Sequence, residues 1–248
     1  MTVHASGRHR TRRRTRRTLL ALGVVIAVLA GVNLVDRFGP AHVGLVLGPA
    51  VAVALVVLAR KAGLSWDELG MARRSWGKGA LYAVGAVILV AGVYAAGAAV
   101  PLTRAAFLDV RYRLHPGSAL FTALVLIPLG TVLLEEVAFR GVLLGLVRHH
   151  RGTAWATGVS SGLFGLWHVL PSLRLSRANH AVGSLVGAGA GGKVLGILIA
   201  VGFTAVAGLI FCELRRRSGS VLAAAGLHWA TNALGVVVAT LLWTMRLA

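Results

Sequence analysis

Seven apolar runs, each about long enough to cross a membrane, dominate this sequence of 248 residues. A helix needs ~20 apolar residues to cover the ~30 Å hydrocarbon layer of a bilayer. Because lipid offers backbone polar groups no hydrogen-bond partner, each run is predicted to be helical. The runs are Leu19–Val35, Ala41–Ala59, Gly79–Val100, Ala119–Val147, Thr153–Leu170, Val194–Leu214 and Ser220–Trp243. We therefore predict an all-α, polytopic transmembrane helical bundle of about seven spans, within a range of six to eight.

The charge content excludes an ordinary water-soluble domain. Only 13% of the residues are charged and 57% are hydrophobic, whereas about 25% of a soluble domain is charged. The 26 Lys and Arg residues far outnumber the 7 Asp and Glu residues. In so apolar a chain this excess is typical of basic loops that face anionic lipid headgroups. We expect a lipid bilayer as a partner and no nucleic acid, and the sequence leaves the oligomeric state open.

The placement of the basic residues predicts the orientation. With a cytoplasmic amino terminus, 17 Lys and Arg residues fall on the inner side of the membrane and eight on the outer side. Basic residues concentrate on the cytoplasmic side of membrane proteins, which favours this orientation. We predict an integral protein of a bacterial-type plasma membrane. Its regions are a basic cytoplasmic tail (1–18), amino-terminal transmembrane helices (19–118) and a carboxyl-terminal transmembrane core (119–248).

Three of the apolar runs carry polar side chains well inside their bounds. An ionisable or strongly polar group inside a span is energetically expensive and is therefore a candidate for function. The fourth run carries Glu135, Glu136 and Arg140, the fifth carries His168 four residues after Phe164, and the seventh carries His228 and Asn232.

Helical spacing places these groups relative to one another. Residues i and i+4 share a helix face, so Glu136 can pair with Arg140, while Glu135 points about 100° away. At 1.5 Å per residue, Glu135, His168, His228 and Asn232 all lie roughly 16 to 24 Å from the cytoplasmic boundary. Four polar groups from three helices at one depth predict a single site.

The residue types favour hydrolysis by an activated water. A carboxylate beside an imidazole can take a proton from water and pass it to a leaving amine. A histidine and an asparagine on one face, such as His228 and Asn232, present donors to an oxyanion. This chemistry requires no cofactor. One alternative is a catalytic zinc held by His168, His228 and Glu135, since two histidines and a glutamate form a known zinc ligand set. Another is a non-catalytic immunity or scaffold protein that uses the same residues as a buried polar latch.

The three motifs, in this order, resemble those of the CPBP membrane proteases, a family that includes CAAX prenyl endopeptidases and bacteriocin-processing, self-immunity and abortive-infection proteins. They read Glu135-Glu136-x-x-x-Arg140, Phe164-x-x-x-His168 and His228-x-x-x-Asn232, and the resemblance covers residues of about 119 to 243. It implies a glutamic intramembrane endopeptidase that acts on a peptide or a membrane-anchored protein.

The resemblance also implies a role for each motif residue. Glu135 would activate the water and His168 would assist it, while His228 and Asn232 would form the oxyanion hole. The supporting residues would be Glu136 and Arg140, which order the site, and Phe164, which shapes the pocket. The substrate, the cleaved bond and any requirement for a prenyl group stay open.

Overall fold

The computed structural model describes residues 3–40, 42–173, 175–187 and 189–245. Within these ranges it describes all side chains except those of residues 3–16, 176, 177 and 180. Most side chains of the predicted basic tail therefore lie outside the described residues.

The described part of the chain contains six long helical runs, and each includes a stretch long and apolar enough to span a membrane. They are α1 (Val3–Phe38), α2 (Gly44–Lys61), α3 (Trp76–Ala99), α4 (Pro116–Ser172), α5 (Ala190–Ser218) and α6 (Val221–Thr244). Among the described residues the regular elements are all helical, and one isolated β-bridge joins Asp109 to Asn179. The prediction of an all-α polytopic bundle is confirmed.

The run α4 reverses direction at Gly152, which has a non-helical backbone conformation with φ 78° and ψ 179°. The hydroxyl of Ser160 donates a hydrogen bond of 2.8 Å to the carbonyl of Phe139. In a straight helix these two residues would lie about 31 Å apart. The 57 residues of α4 therefore form two antiparallel arms, α4a (116–151) and α4b (153–172). With these arms counted separately, the described residues form seven candidate spans, within the predicted range of six to eight.

The arm α4a alternates between α-helical and π-helical turns. Glu135 and Glu136 lie on a single α-helical stretch, Leu133–Glu136. The π-helical stretches Pro128–Val132 and Val137–Leu143 flank it, and a third covers Thr122–Leu126. Wider π turns occur frequently at functional sites because they redirect side chains along a helix.

Short helices join the spans: Trp66–Leu69, Pro101–Arg104, Leu175–Ala178 and His180–Val186. Three 3₁₀ turns, Arg73–Ser75, Ala105–Phe107 and Val110–Tyr112, lie among them. The first short helix ends at Gly70, whose φ of 73° is left-handed. A Cβ atom there would overlap the guanidinium of Arg215, which donates to the carbonyls of Asp67 and Glu68 at 2.8 and 3.1 Å. Glycine at this position therefore lets Arg215 dock the end of α5 onto the loop.

Small residues let the helices of the core approach closely. A Cβ atom on Gly226 of α6 would overlap Ala83 of α3, and one on Gly165 of α4b would lie 2.7 Å from the carbonyl oxygen of Val201 on α5. Small residues have this role in membrane helices generally, because close backbone contact increases van der Waals packing. The result is that α6 packs closely against α3 and α5 against α4b. The motif residues lie on α4a, α4b and α6.

Candidate active site

The two adjacent glutamates of α4a are both buried, and Glu136 has the more enclosed carboxylate. Glu136 is 2% exposed. Its Oε1 atom accepts a hydrogen bond of 3.0 Å from Nη1 of Arg140 and lies 2.8 Å from Nδ1 of His228. Because a carboxylate accepts hydrogen bonds, Nδ1 of His228 is the donor. The pair that helical spacing predicts, Glu136 with Arg140, is therefore extended by a histidine from α6.

Aromatic rings enclose this ion pair. Arg140 is 0% exposed, and its guanidinium carbon lies 4.0 Å from the ring centre of Phe164 and 4.6 Å from that of Phe211. The imidazole of His228 stacks on Phe211 with 5.2 Å between ring centres. Cation–π contacts of this kind partly replace the hydration that a buried guanidinium loses. We call these five residues, Glu136, Arg140, Phe164, Phe211 and His228, the closed cluster.

Glu135 instead lines a cavity of about 380 Å³. Its Oε1 atom accepts a hydrogen bond of 3.0 Å from Nε1 of Trp167. Its Oε2 atom has no hydrogen-bond partner among the described residues and lies 3.8 Å from Nε2 of His228. This distance is too long for a direct hydrogen bond. One carboxylate oxygen is thus held in place while the other is left for other partners.

His168 lines the same cavity, at the point where the regular helix of α4b ends. Its Nδ1 atom lies 2.8 Å from the carbonyl oxygen of Phe164. A carbonyl oxygen only accepts, so Nδ1 carries the hydrogen and Nε2 of the neutral imidazole can accept a proton. The cavity is therefore lined by a carboxylate and an imidazole, each held through one atom and without a hydrogen bond at the other among the described residues.

Asn232 does not join this arrangement. Its side chain is exposed, it does not line the cavity of Glu135, and it forms no hydrogen bond with the described residues. His228, four residues earlier, is 4% exposed and belongs to the closed cluster. The structure therefore brings together six of the seven motif residues and leaves Asn232 apart.

The zinc set of Glu135, His168 and His228 is not assembled as a metal site. Within the described ranges, no group of three His, Cys, Asp or Glu side chains is arranged to hold a metal ion. A catalytic zinc requires three protein ligands at about 2.0–2.3 Å from one point.

The structure also shows residues at the cavity that sequence reasoning missed. Trp167 precedes His168, and the only polar atom of its indole ring donates to Glu135. Asn33 on α1 donates to the carbonyl of Trp167 at 2.7 Å. Asp36 and His42 line the cavity as well, and the charge of Asp36 interacts with that of Glu135. Asp36 is the first residue after the predicted first span. An acidic residue at the end of a span is a signal that could have indicated Asp36, because its carboxylate can reach a cavity between the helices.

Comparison with known proteins adds one match. Residues 117–234, slightly less than half of the chain, match the model of a family described as type II CAAX prenyl endopeptidase Rce1-like. This range contains all seven motif residues, from Glu135 to Asn232. No curated protein and no solved structure matches the chain. Residues 117–234 are therefore similar to the Rce1-like family of type II CAAX prenyl endopeptidases, which is a protease family.

Proposed function

We propose that this protein is an intramembrane endopeptidase that hydrolyses a peptide bond of a peptide or membrane-associated protein by glutamate-activated water. The observation that carries the proposal is the cavity of Glu135 and His168, which lies within a bundle of apolar helices. The match of residues 117–234 to the Rce1-like family model supports the reaction class, while the assignment to particular residues rests on the site itself.

In the proposed reaction, Oε2 of Glu135 takes a proton from a water molecule as the water oxygen bonds to the substrate carbonyl carbon. The resulting tetrahedral intermediate carries its negative charge on the former carbonyl oxygen. The carbon–nitrogen bond then breaks as the proton passes to the leaving nitrogen. His168, with Nε2 free to accept and return a proton, assists this transfer. The products are a carboxylic acid and an amine, and Glu135 is regenerated.

The closed cluster has a supporting role in this proposal. Arg140 and Glu136 fix His228, whose Nε2 atom lies 3.8 Å from Oε2 of Glu135. We propose that His228 stabilises the oxyanion as an imidazolium, because Nδ1 already donates to Glu136 and Nε2 donates only when it also carries a hydrogen. Asn232 is exposed and lies outside the cavity, so it has no role in the proposed reaction. The proposed orientation places the amino terminus in the cytoplasm of a bacterial-type cell.

The test is the substitution Glu135→Gln in the full-length protein, reconstituted in lipid nanodiscs and offered a random library of quenched peptides. General base catalysis contributes about 10²- to 10⁴-fold to rates, so we expect cleavage to fall at least about a hundredfold. The unfolding temperature should change little, because glutamine keeps the acceptor for Trp167. The matched control is Asp67→Asn, a carboxylate that is 49% exposed and paired with Arg74.

Four outcomes decide between the proposals. Loss of cleavage in Glu135→Gln only, with no effect of a chelator on the wild type, supports glutamate chemistry. Loss of wild-type activity in a chelator, restored by zinc, would replace it with the zinc mechanism. Equal cleavage by the wild type and Glu135→Gln would exclude Glu135 as the base, and absence of cleavage in both favours the non-catalytic latch.

A further inference from the structure

Asp36 is the one acidic residue without a polar partner among the described residues. The chain has seven Asp and Glu residues, and the structure describes all of their side chains. Six of them form hydrogen bonds or ion pairs: Asp67 with Arg74, Glu68 with His149, Asp109 with Arg111, Glu135 with Trp167, Glu136 with Arg140 and Glu213 with Arg216. Asp36 forms none with the described residues, although the chain carries 26 Lys and Arg residues.

The nearest basic residue along the chain does not neutralise Asp36. The guanidinium carbon of Arg37 lies over the ring of Phe38, 5.1 Å from its centre. Asp36 itself is exposed, close to the end of α1, and lines the cavity of Glu135 and His168. The cavity therefore has an unpaired carboxylate at its accessible side and a second, buried carboxylate further in.

The two carboxylates influence each other, since the charge of Asp36 interacts with that of Glu135. Like charges that share a site make it unfavourable for both to be ionised. A cation bound next to Asp36 would offset this repulsion. The polar groups of α1 and of the α1–α2 turn, Asn33, Asp36 and His42, lie outside the matched range 117–234. This side of the cavity is thus a contribution of the amino-terminal helices.

We propose that Asp36 forms a subsite for a cationic group of the substrate, the ammonium or guanidinium of a lysine or arginine side chain close to the cleaved bond. The subsite rests on the proposed peptidase function for its biological meaning, but its electrostatic selectivity is a property of the cavity alone. One experiment tests the charge selectivity of the cavity without catalysis, and a second tests it through peptide cleavage.

The first experiment needs no catalysis. Thr131 lines the cavity and is partly exposed, and the only native cysteine, Cys212, is 2% exposed. In a Thr131→Cys protein in nanodiscs of neutral phosphatidylcholine, we compare the labelling rates of a cationic and an anionic methanethiosulfonate reagent. Asp36→Asn should lower the ratio of cationic to anionic rates by about fivefold, as expected for one charge at short range. Asp67→Asn is the matched control and should leave the ratio unchanged.

High salt provides a second check, because the Debye length falls from about 10 Å at 0.1 M to about 3 Å at 1 M. The difference in labelling ratio between the Thr131→Cys protein and its Asp36→Asn derivative should shrink accordingly. A ratio that does not respond to Asp36→Asn overturns the subsite, whether or not the protein is a peptidase.

The second experiment uses pairs of quenched peptides that differ only by Lys or Gln at one position. The wild type should cleave the Lys peptide of at least one pair about fivefold to tenfold faster in kcat/KM, as expected for about 1 to 1.4 kcal/mol. Asp36→Asn should abolish this ratio, and Asp36→Lys should reverse it in favour of a Glu peptide. No preference in the wild type, or a preference that survives Asp36→Asn, overturns the subsite. If the wild type, like Glu135→Gln, cleaves none of the peptides, the proposed function fails and the labelling ratio alone decides the subsite.

Discussion

Glu135 and Glu136 are neighbours in the chain, but they lie in two different environments. Glu136 belongs to the closed cluster, in which its carboxylate contacts Arg140 and His228 and aromatic rings exclude water. Glu135 lies on the cavity, with one oxygen held by Trp167 and the other without a partner among the described residues. Consecutive residues of a helix point about 100° apart. One turn of helix therefore supplies both a structural ion pair and a candidate base.

The comparison teaches that the two carboxylates should respond differently to mutation. A residue of the closed cluster supports packing, so its loss should lower stability. Glu135 has a carboxylate oxygen without a hydrogen bond among the described residues. Its substitution should therefore lower activity at nearly constant stability.

The largest effect is expected for Arg140→Ala. The guanidinium is fully buried, and its removal leaves the charge of Glu136 without its cationic partner. Breaking a buried pair in this way costs about 3–5 kcal/mol. The measurement is unfolding of the reconstituted protein in a denaturing detergent titration.

Arg216→Ala is the matched control, because Arg216 also pairs with a glutamate but its side chain is 56% exposed. Exposed pairs contribute about 0–1 kcal/mol. Equal stability losses in Arg140→Ala and Arg216→Ala would show that the closed cluster has no special structural role.

An intermediate effect is expected for Trp167→Phe on the cavity side. The phenyl ring keeps the edge contact with Phe139, but the hydrogen bond to Glu135 is lost. Hydrogen bonds to charged groups contribute about 1.5–3 kcal/mol, so kcat should fall at least about tenfold. Because Trp167 positions the base and does not bind substrate in our proposal, KM should stay within about twofold, which is less than about 0.5 kcal/mol.

Trp155→Phe serves as its control, since Trp155 is 65% exposed and lies away from the cavity. A fall in stability that matches the fall in kcat, or a rise in KM alone, would assign Trp167 to packing or to substrate binding.

The smallest effect is expected for Asn232→Ala. In the structure this side chain is exposed and outside the cavity, so we expect kcat/KM to fall less than about threefold, or about 0.7 kcal/mol. Loss of a true oxyanion donor costs about 10²- to 10³-fold. A loss of that size would show that Asn232 turns inward during the reaction. It would also extend the functional region beyond the residues that line the cavity.

Much of the architecture could be predicted because spans depend on local composition. The reversal at Gly152 follows from a break of arginine and glycine between two apolar runs, and the Glu136–Arg140 pair follows from helical spacing. The residues Asn33, Asp36 and Trp167 could not be placed in this way. Their proximity to Glu135 depends on which faces of α1 and α4b meet, and apolar helices of this kind have no strong polar side to reveal it.

The sequence by itself determined the membrane-spanning helices and the polar residues inside them, because the absence of water in lipid leaves few alternatives for apolar runs. It also determined that Glu135 and Glu136 point in different directions. Only the tertiary structure decided that aromatic rings enclose the Glu136–Arg140 pair while Glu135 faces a cavity, and that His228 joins the pair while Asn232 stays outside. The physical reason is that small residues such as Gly165 and Gly226 set how closely the helices pack, and close packing between distant segments is not encoded in the spacing of any one of them.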